Sequence, residues 1–407
     1  MPTTTGLDRR RLLSLIAAAG GAQALSACAA TTATRPPPVA TAFRAPKPLA
    51  RLDARPERIF NITVCLRPFR AAGPRLDVEH IGQTLVAHNY GHGGSGWSLS
   101  WGSAQIAVRN AMSRGDREIA VIGCGALGLT AAITAQRAGA KVTIYARERM
   151  PDVRSARATG VWSPDSRIAL AADAPPDFPA LWEQMTRASY KAHLGYLGLA
   201  GGAVRWMDHY FVPGGPEGPS LPHMEFAHYG GRVRDLTPRG ADLPAGAHPF
   251  AADGVRRGSQ LVFDITELGH LLMSDFLMAG GRIEPREFHA PAELASLSEK
   301  AVINCTGYGA RALWKDETVI PVRGQIGWLV PQPELDYSLY HGGVSMVPRH
   351  DGVVIQATGG SDAYGYGDAN ETPDRAETEV ALATLAALYA RPKAADVAQS
   401  WAALAES

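Results

Sequence analysis

The 407-residue sequence holds only four cysteines, almost no net charge and no long apolar run, and each shortage removes a class of protein. Forty Lys and Arg against 39 Asp and Glu leave a formal charge of +1. No basic stripe is interleaved with aromatics, so nucleic acid is excluded as a partner. Apart from Cys28, the cysteines are Cys65, Cys124 and Cys305, an odd number without a pairing pattern. No disulfide framework is expected, and each of the three reads as a small buried residue beside a strand. There is no internal repeat, and the length suits two lobes better than one.

What is present begins with LDRRRLLSLIAAAGGAQALSAC, a basic start, an apolar stretch too short to span a bilayer comfortably, and small residues before a Cys. This is the pattern of a removable export signal over residues 1–27. Arg9-Arg10 resemble a twin-arginine signal, and Leu25-Ser26-Ala27-Cys28 resembles a bacterial lipobox with Cys28 as the lipidated residue. The expected location is the periplasmic side of a bacterial membrane, reached through a lipid anchor. Residues 28–54, rich in Ala, Thr, Pro and Arg, read as a flexible tether.

Two glycine-dense turns follow, each opening onto helix-like sequence. HNYGHGGSGWSLSWGSA spans His88–Ala104, and GCGALG spans Gly123–Gly128. The second lies between the apolar strand IAVIG and a helix through about Ala138, with the strand KVTIYA beyond, which is a dinucleotide-type βαβ unit. In it Gly123 permits the tight turn, Gly125 lets a pyrophosphate approach the helix N-terminus, and Gly128 allows helix and strand to pack. Cys124, Ala126 and Leu127 belong to the same turn. At the end of the second strand, YARER offers Glu148 to the ribose hydroxyls, or else a solvated charge run.

HNYGHGGSGWSLSWGSA resembles the signature of the D-amino-acid oxidase family of flavoproteins. CLRPFR (Cys65–Arg70), ATGVWSP (Ala158–Pro164), NCTG (Asn304–Gly307), VRGQ (Val322–Gln325) and VSMVPR before GVVIQATGG are further matches. The resemblance implies FAD and an amino acid or amine substrate whose Cα hydrogen leaves as hydride, with oxygen or another acceptor taking the electrons. It implies that Arg67 grips the substrate carboxylate, that Gly94 offers its carbonyl to the amine, and that Gly93, Ser95, Gly96 and Ser98 belong to the turn at the flavin. Thr159, Gly160 and Val161 fall beside the ring, Phe288 and Thr306 at the adenine and diphosphate end, and Ser155 among the cofactor contacts. Trp162 and Phe288 also read as ordinary core packing, and Arg70 as structural. His88 and His92, four apart on a glycine turn, are not expected to bind metal.

The order departs from the family, where the dinucleotide turn opens the chain and HNYGHGG closes it, so the sequence reads as circularly permuted. Where the family commonly has a tyrosine, VSMVPR offers Ser345, and Tyr340 is either its substitute or a packing residue. The expected fold is α/β, a Rossmann-like FAD-binding lobe with a mixed antiparallel-sheet substrate lobe. The permuted segment, residues 55–118, joins the FAD lobe of 119–170 and 265–315. The substrate lobe takes 171–264 and 316–373, and a terminal helix within 374–407 completes the FAD lobe. Two other functions fit the same residues: a membrane-tethered dehydrogenase serving a quinone or carrier, and a non-catalytic flavin-binding lipoprotein.

Overall fold

The computed structural model describes residues 48–216, 218–244 and 247–389. The expected signal over 1–27, Cys28 and the tail beyond 389 lie outside the described residues.

The body opens with strands β1 (Ile59–Phe69), β2 (Val78–Ile81) and β3 (Thr84–His88), then helix α1 (Gly96–Ala111). Next come β4 (Glu118–Ile122), α2 (Ala126–Arg137), β5 (Lys141–Ala146) and α3 (Phe178–Leu194). The middle holds β6 (Val204–Val212), β7 (Ala241–Asp242), β8 (Arg256–Phe263), α4 (Ile265–Met278) and β9 (Arg282–Pro285). After β10 (Ala301–Asn304) and the short α5 (Ala310–Leu313) come β11 (Ile320–Leu329), β12 (Tyr337–His341), β13 (Val344–Arg349), β14 (Gly352–Ala357) and α6 (Arg375–Ala387).

Two sheets organise these elements. One runs β2-β3-β10-β4-β5-β9 and is parallel apart from the edge strand β2. Its inner strands TLVAH, AVIN and EIAVI are buried almost throughout, as continuous apolar runs must be when both sheet faces are covered. The other sheet runs β1-β11-β14-β13-β12-β6-β8-β7, antiparallel except where β6 meets β12. The mixed α/β class read from the sequence therefore stands.

Helix α1 lies between α2 and α3 and is buried along most of its length. Its small residues permit that depth, and the Gly102 amide donates to Ser189 Oγ of α3 at 2.7 Å. The link from α1 to β4 is short, as expected from SRGDRE. Arg114 in it donates to the carbonyls of Gln83 at 2.9 Å and Lys300 at 2.6 Å, tying it to the starts of β3 and β10.

Three boundaries differ from the sequence reading. Strand β1 belongs to the eight-stranded sheet, paired with β11 from Ile59 to Phe69, and only the rest of segment 55–118 joins the FAD lobe. Helix α6 packs on β11, β13 and β14 rather than on the six-stranded sheet, because Leu382 and Leu385 find their apolar partners in Leu329, Met346 and Ile355. Residues 48–54 are packed chain rather than tether: Leu52 is buried in the same cluster, and Asp53 and Arg51 hydrogen-bond Gln332. Tyr337 joins these pieces, donating to the Ala50 carbonyl at 2.6 Å and meeting the Tyr389 hydroxyl at 2.5 Å.

Removing that hydroxyl strands a carbonyl and a phenol at a buried junction. Tyr337→Phe is expected to lower unfolding stability by about 1–3 kcal/mol, read from the urea midpoint. An unchanged midpoint would show that the junction carries no stability.

Candidate active site

The parallel register of the six-stranded sheet builds the site. His88, Asn304 and Ile122, the last residues of β3, β10 and β4, lie side by side. The chain leaves each into a turn at the same sheet edge, where strand C-terminal ends and helix N-termini meet in α/β folds. The turns are HGGSG into α1, CTG after β10, and GCGALG into α2. Gly128 is forced by packing, since a Cβ there would stand 1.9 Å from the Gly123 carbonyl oxygen.

Both glycine turns open on one cleft of about 450 Å³, lined by Gly93, Gly94 and Gly96 at one end and Gly123–Leu127 further along. The amides of Gly93, Gly94 and Ser95 are spent on the carbonyls of Pro68, Ser166 and His92. Among the described residues those of Gly96, Trp97 and Ser98 have no acceptor, and Ser95 Oγ turns away to the Ser166 carbonyl rather than capping α1. The first turn of α2 is nearly as open, with only the Ala126 amide engaged, by Ser155 Oγ at 3.0 Å. Two helix N-termini, each carrying partial positive charge, thus face one cavity. The Trp97 indole donates to the Ser155 carbonyl at 2.8 Å and so ties the two turns together.

Beyond GCGALG the cleft is lined by Glu148, Thr306 and Phe288, with Arg147, Arg286 and Glu287. Glu148 is half exposed and paired with Arg147 at 3.0 Å, which also binds Glu287 at 2.8 Å. Phe288 is buried, edge-on to Tyr145, with the Arg286 guanidinium 4.6 Å above its ring.

At the other end the cleft joins a second chamber of about 390 Å³, and Arg67, Gly94, Trp97 and Thr159 line both. Ser98, Gly160 and Val161 line only the second chamber, and Ser95 lines neither. Tyr340 and Ser345 face it from directly opposed positions on β12 and β13. Cys65, expected to be fully buried, is half-buried at the cleft wall.

Arg67 lies flat on β11 because residue 324 has no side chain: a Cβ on Gly324 would stand 1.9 Å from the Arg67 Nη2. Burial and the like charge of Arg167 pull its guanidinium below the usual arginine range. Among the described residues its one side-chain hydrogen bond is a long 3.5 Å contact to the Arg323 carbonyl, and no carboxylate lies within ion-pair distance. Arg67 is half-buried, and a partly desolvated cation without a counter-ion gains from a bound anion.

Two residues escape sequence reasoning. Arg167, in an undistinguished SPDSRIAL stretch, forms a chamber wall with Asp362 at 3.1 Å. Gln356, also on both cavities, accepts a hydrogen bond from Thr159. The neighbourhood of Arg167 carries no periodicity or glycine signal, and Gln356 lies in the matched stretch GVVIQATGG, where nothing marks the glutamine itself.

These residues fit FAD. One helix end suits a diphosphate, and the free amides of Gly96–Ser98 suit a ring that gains negative charge on reduction. His92 adds an orphan: it is 1% exposed, lines the cleft, and has neither ring nitrogen bonded. A cofactor edge in the cleft would supply its partner.

The sequence matches the family described as "FAD dependent oxidoreductase" (DAO) over residues 118–406. It is 29% identical over 276 residues to D-amino-acid oxidase of Dictyostelium discoideum, covering 67% of this chain and 72% of that protein. It is 30% identical over 297 residues to D-amino-acid oxidase of Rubrobacter xylanophilus, covering 70% and 81%. Among solved structures, L-amino acid deaminase from Proteus vulgaris aligns with a TM-score of 0.41 at 14% identity, over 60% of this chain and 61% of that one.

Two outcomes follow from the site's packing. Gly324→Ala displaces the Arg67 guanidinium, so carboxylate ligands should bind at least about ten-fold more weakly while the oxidised-flavin spectrum persists; unchanged binding would remove Gly324 from the anchor. Burial holds His92 at about 3 and His193 at about 4, below the ordinary 6.5. The unfolded chain therefore binds more protons between those values, and stability is complete above about pH 6.5 and falls as pH drops through the window. His92→Gln should flatten the fall of Tm across that window, and an unaltered slope would show that His92 is not held neutral.

Proposed function

The chain belongs to the DAO family of FAD-dependent oxidoreductases, and from that premise we propose that it oxidises a D-amino acid to the corresponding imino acid, with oxygen as final acceptor. The observation that carries the reading is Arg67, a half-buried guanidinium with no carboxylate partner among the described residues, at the junction of cofactor cleft and side chamber. A planar fork of donors there takes a substrate carboxylate on two oxygens and fixes its plane.

The chemistry FAD supplies when bound is acceptance of the Cα hydrogen with its electron pair, and delivery of those electrons to oxygen as peroxide. The amino acid loses that hydride and an amine proton, and water then converts the imine to keto acid and ammonia. Gly94 lines both cavities and its carbonyl has no donor among the described residues, so in this reading it accepts from the substrate amine. Carboxylate and amine held at two points leave Cα one orientation toward the cleft, which is where positioning catalysis acts. Trp97 and Thr159 line both cavities beside Arg67 and Gly94.

The permuted order belongs to the same proposal. It is supported by the family match beginning at residue 118, after β3 and α1 have already supplied one wall of the cleft. It is also supported by the Tyr337 bridge, which brings Ala50 and Tyr389 to one place and leaves room for an ancestral connection there. Export and lipid anchoring at Cys28 rest on the sequence pattern alone. Replacing Cys28 by Ala should release the protein from the membrane fraction, and continued retention would refute the anchor.

Anaerobic mixing of the purified holoprotein with D- and L-amino acids tests the main reading. D-amino acids should bleach the oxidised-flavin absorbance, and admission of oxygen should return it with one peroxide per turnover. Arg67→Ala should reduce the second-order bleaching rate by about a hundred-fold or more. Bleaching only by L-amino acids, reoxidation only by an added dye, or an Arg67→Ala enzyme as fast as wild type would each overturn the corresponding part.

A further inference from the structure

We propose that the side chamber selects an amino acid whose side chain is uncharged and hydrogen-bonding, of the carboxamide or hydroxyl class, over apolar and carboxylate side chains of the same shape. This rests on the reading of Arg67 as the carboxylate anchor and names the substrate class of that site.

The first ground is the wall. Ser163, Ser345, Tyr340 and Thr358 line the chamber. Among the described residues Ser345 Oγ has no hydrogen bond, Tyr340 reaches Thr358 Oγ1 only at 3.5 Å, and Ser163 Oγ reaches the Val161 carbonyl only at 3.5 Å. Tyr340 is held in place by stacking on Phe211, ring centroids 5.6 Å apart and planes within 9°. Thr358 Oγ1 already donates to the Gly343 carbonyl at 2.9 Å. An apolar side chain strips water from the hydroxyls of Ser345, Tyr340 and Ser163 and returns no partner, and a site that hydrogen-bonds its substrate discriminates strongly against analogues lacking the group.

The second ground is charge. Three ionised groups face the chamber: Arg67, Arg167 and Asp362. Arg167 is already satisfied, donating to Ser166 Oγ at 3.1 Å and to the Asp362 carbonyl at 2.7 Å, with the Asp362 carboxylate 3.1 Å away. It also contacts the Ser361 carbonyl at 3.4 Å. Its backbone sits at φ 52°, a left-handed conformation that a residue with a side chain holds only when its surroundings fix it. The Arg167–Asp362 pair is thus a rigid, neutral wall. One positive charge remains, on Arg67, and the substrate's own α-carboxylate settles it. A second carboxylate would enter without a counter-ion and face Asp362, a costly placement in a partly desolvated site.

D-asparagine, D-leucine and D-aspartate all branch at Cγ into two heavy atoms of similar size and differ chiefly in hydrogen bonding and charge, so they separate the terms. With the full-length holoprotein under anaerobic conditions, the rate of flavin bleaching divided by the apparent Kd should be at least about ten-fold higher for D-asparagine than for either of the others. The Ser345→Ala and Tyr340→Phe double variant, its oxidised-flavin spectrum confirming a loaded site, should bring the asparagine-to-leucine ratio toward one. D-leucine matching D-asparagine would overturn the proposal in favour of an apolar chamber. D-aspartate being fastest would overturn it by making Arg167 a reader of a second carboxylate. Bleaching by D-alanine with none of the three active would overturn it while leaving the oxidase reading intact, whereas silence of every amino acid would remove both.

Discussion

The site depends on one constraint, the parallel register that ends β3, β10 and β4 at His88, Asn304 and Ile122. Register in a parallel sheet fixes where each chain exits, and three exits at one level place two helix N-termini and an intervening turn around a single cavity. The partial charges of α1 and α2 then add over the same space instead of acting on separate ligands. A slip of one residue in β10 would turn its buried faces over and part the two turns.

The eight-stranded sheet contributes what the six-stranded one lacks, which is side-chain chemistry. β1 and β11 present Arg67 over Gly324, and β12 and β13 present Tyr340 against Ser345. The division of labour is physical. Backbone amides at helix ends suit a cofactor whose phosphates and ring are constant, while side chains on a sheet face can vary with the substrate.

The cofactor end was legible in the sequence because its signals are local. Strand, glycine turn and helix recur within thirty residues, and Arg67 and Gly94, which the resemblance singled out, line both cavities. The lobe assignments of β1 and α6 were not legible, since a strand or an amphipathic helix carries no mark of which sheet will receive it. Residues 48–54 look like linker by composition, and it is the burial of Leu52 with the bonds of this backbone to Gln332 and Tyr337 that makes them part of the body. Arg167 shows the same limit: its role comes from Asp362, 195 residues away, and from a backbone angle that no composition reveals.

The turns at Gly93 and Gly123 stand only thirty residues apart along the chain, joined by α1 and the Arg114-pinned link. Loop-closure entropy grows with the logarithm of separation, so bringing these turns together costs roughly 2 kcal/mol less than closing a chain about ten times longer. The α1–α2 pair that carries both turns can therefore pack as a local event, and β10, entering between β3 and β4, then sets their exits at one level. In this chain order the two glycine turns lie on the low-contact-order part of the folding path, and the β10 turn between them waits for long-range pairing.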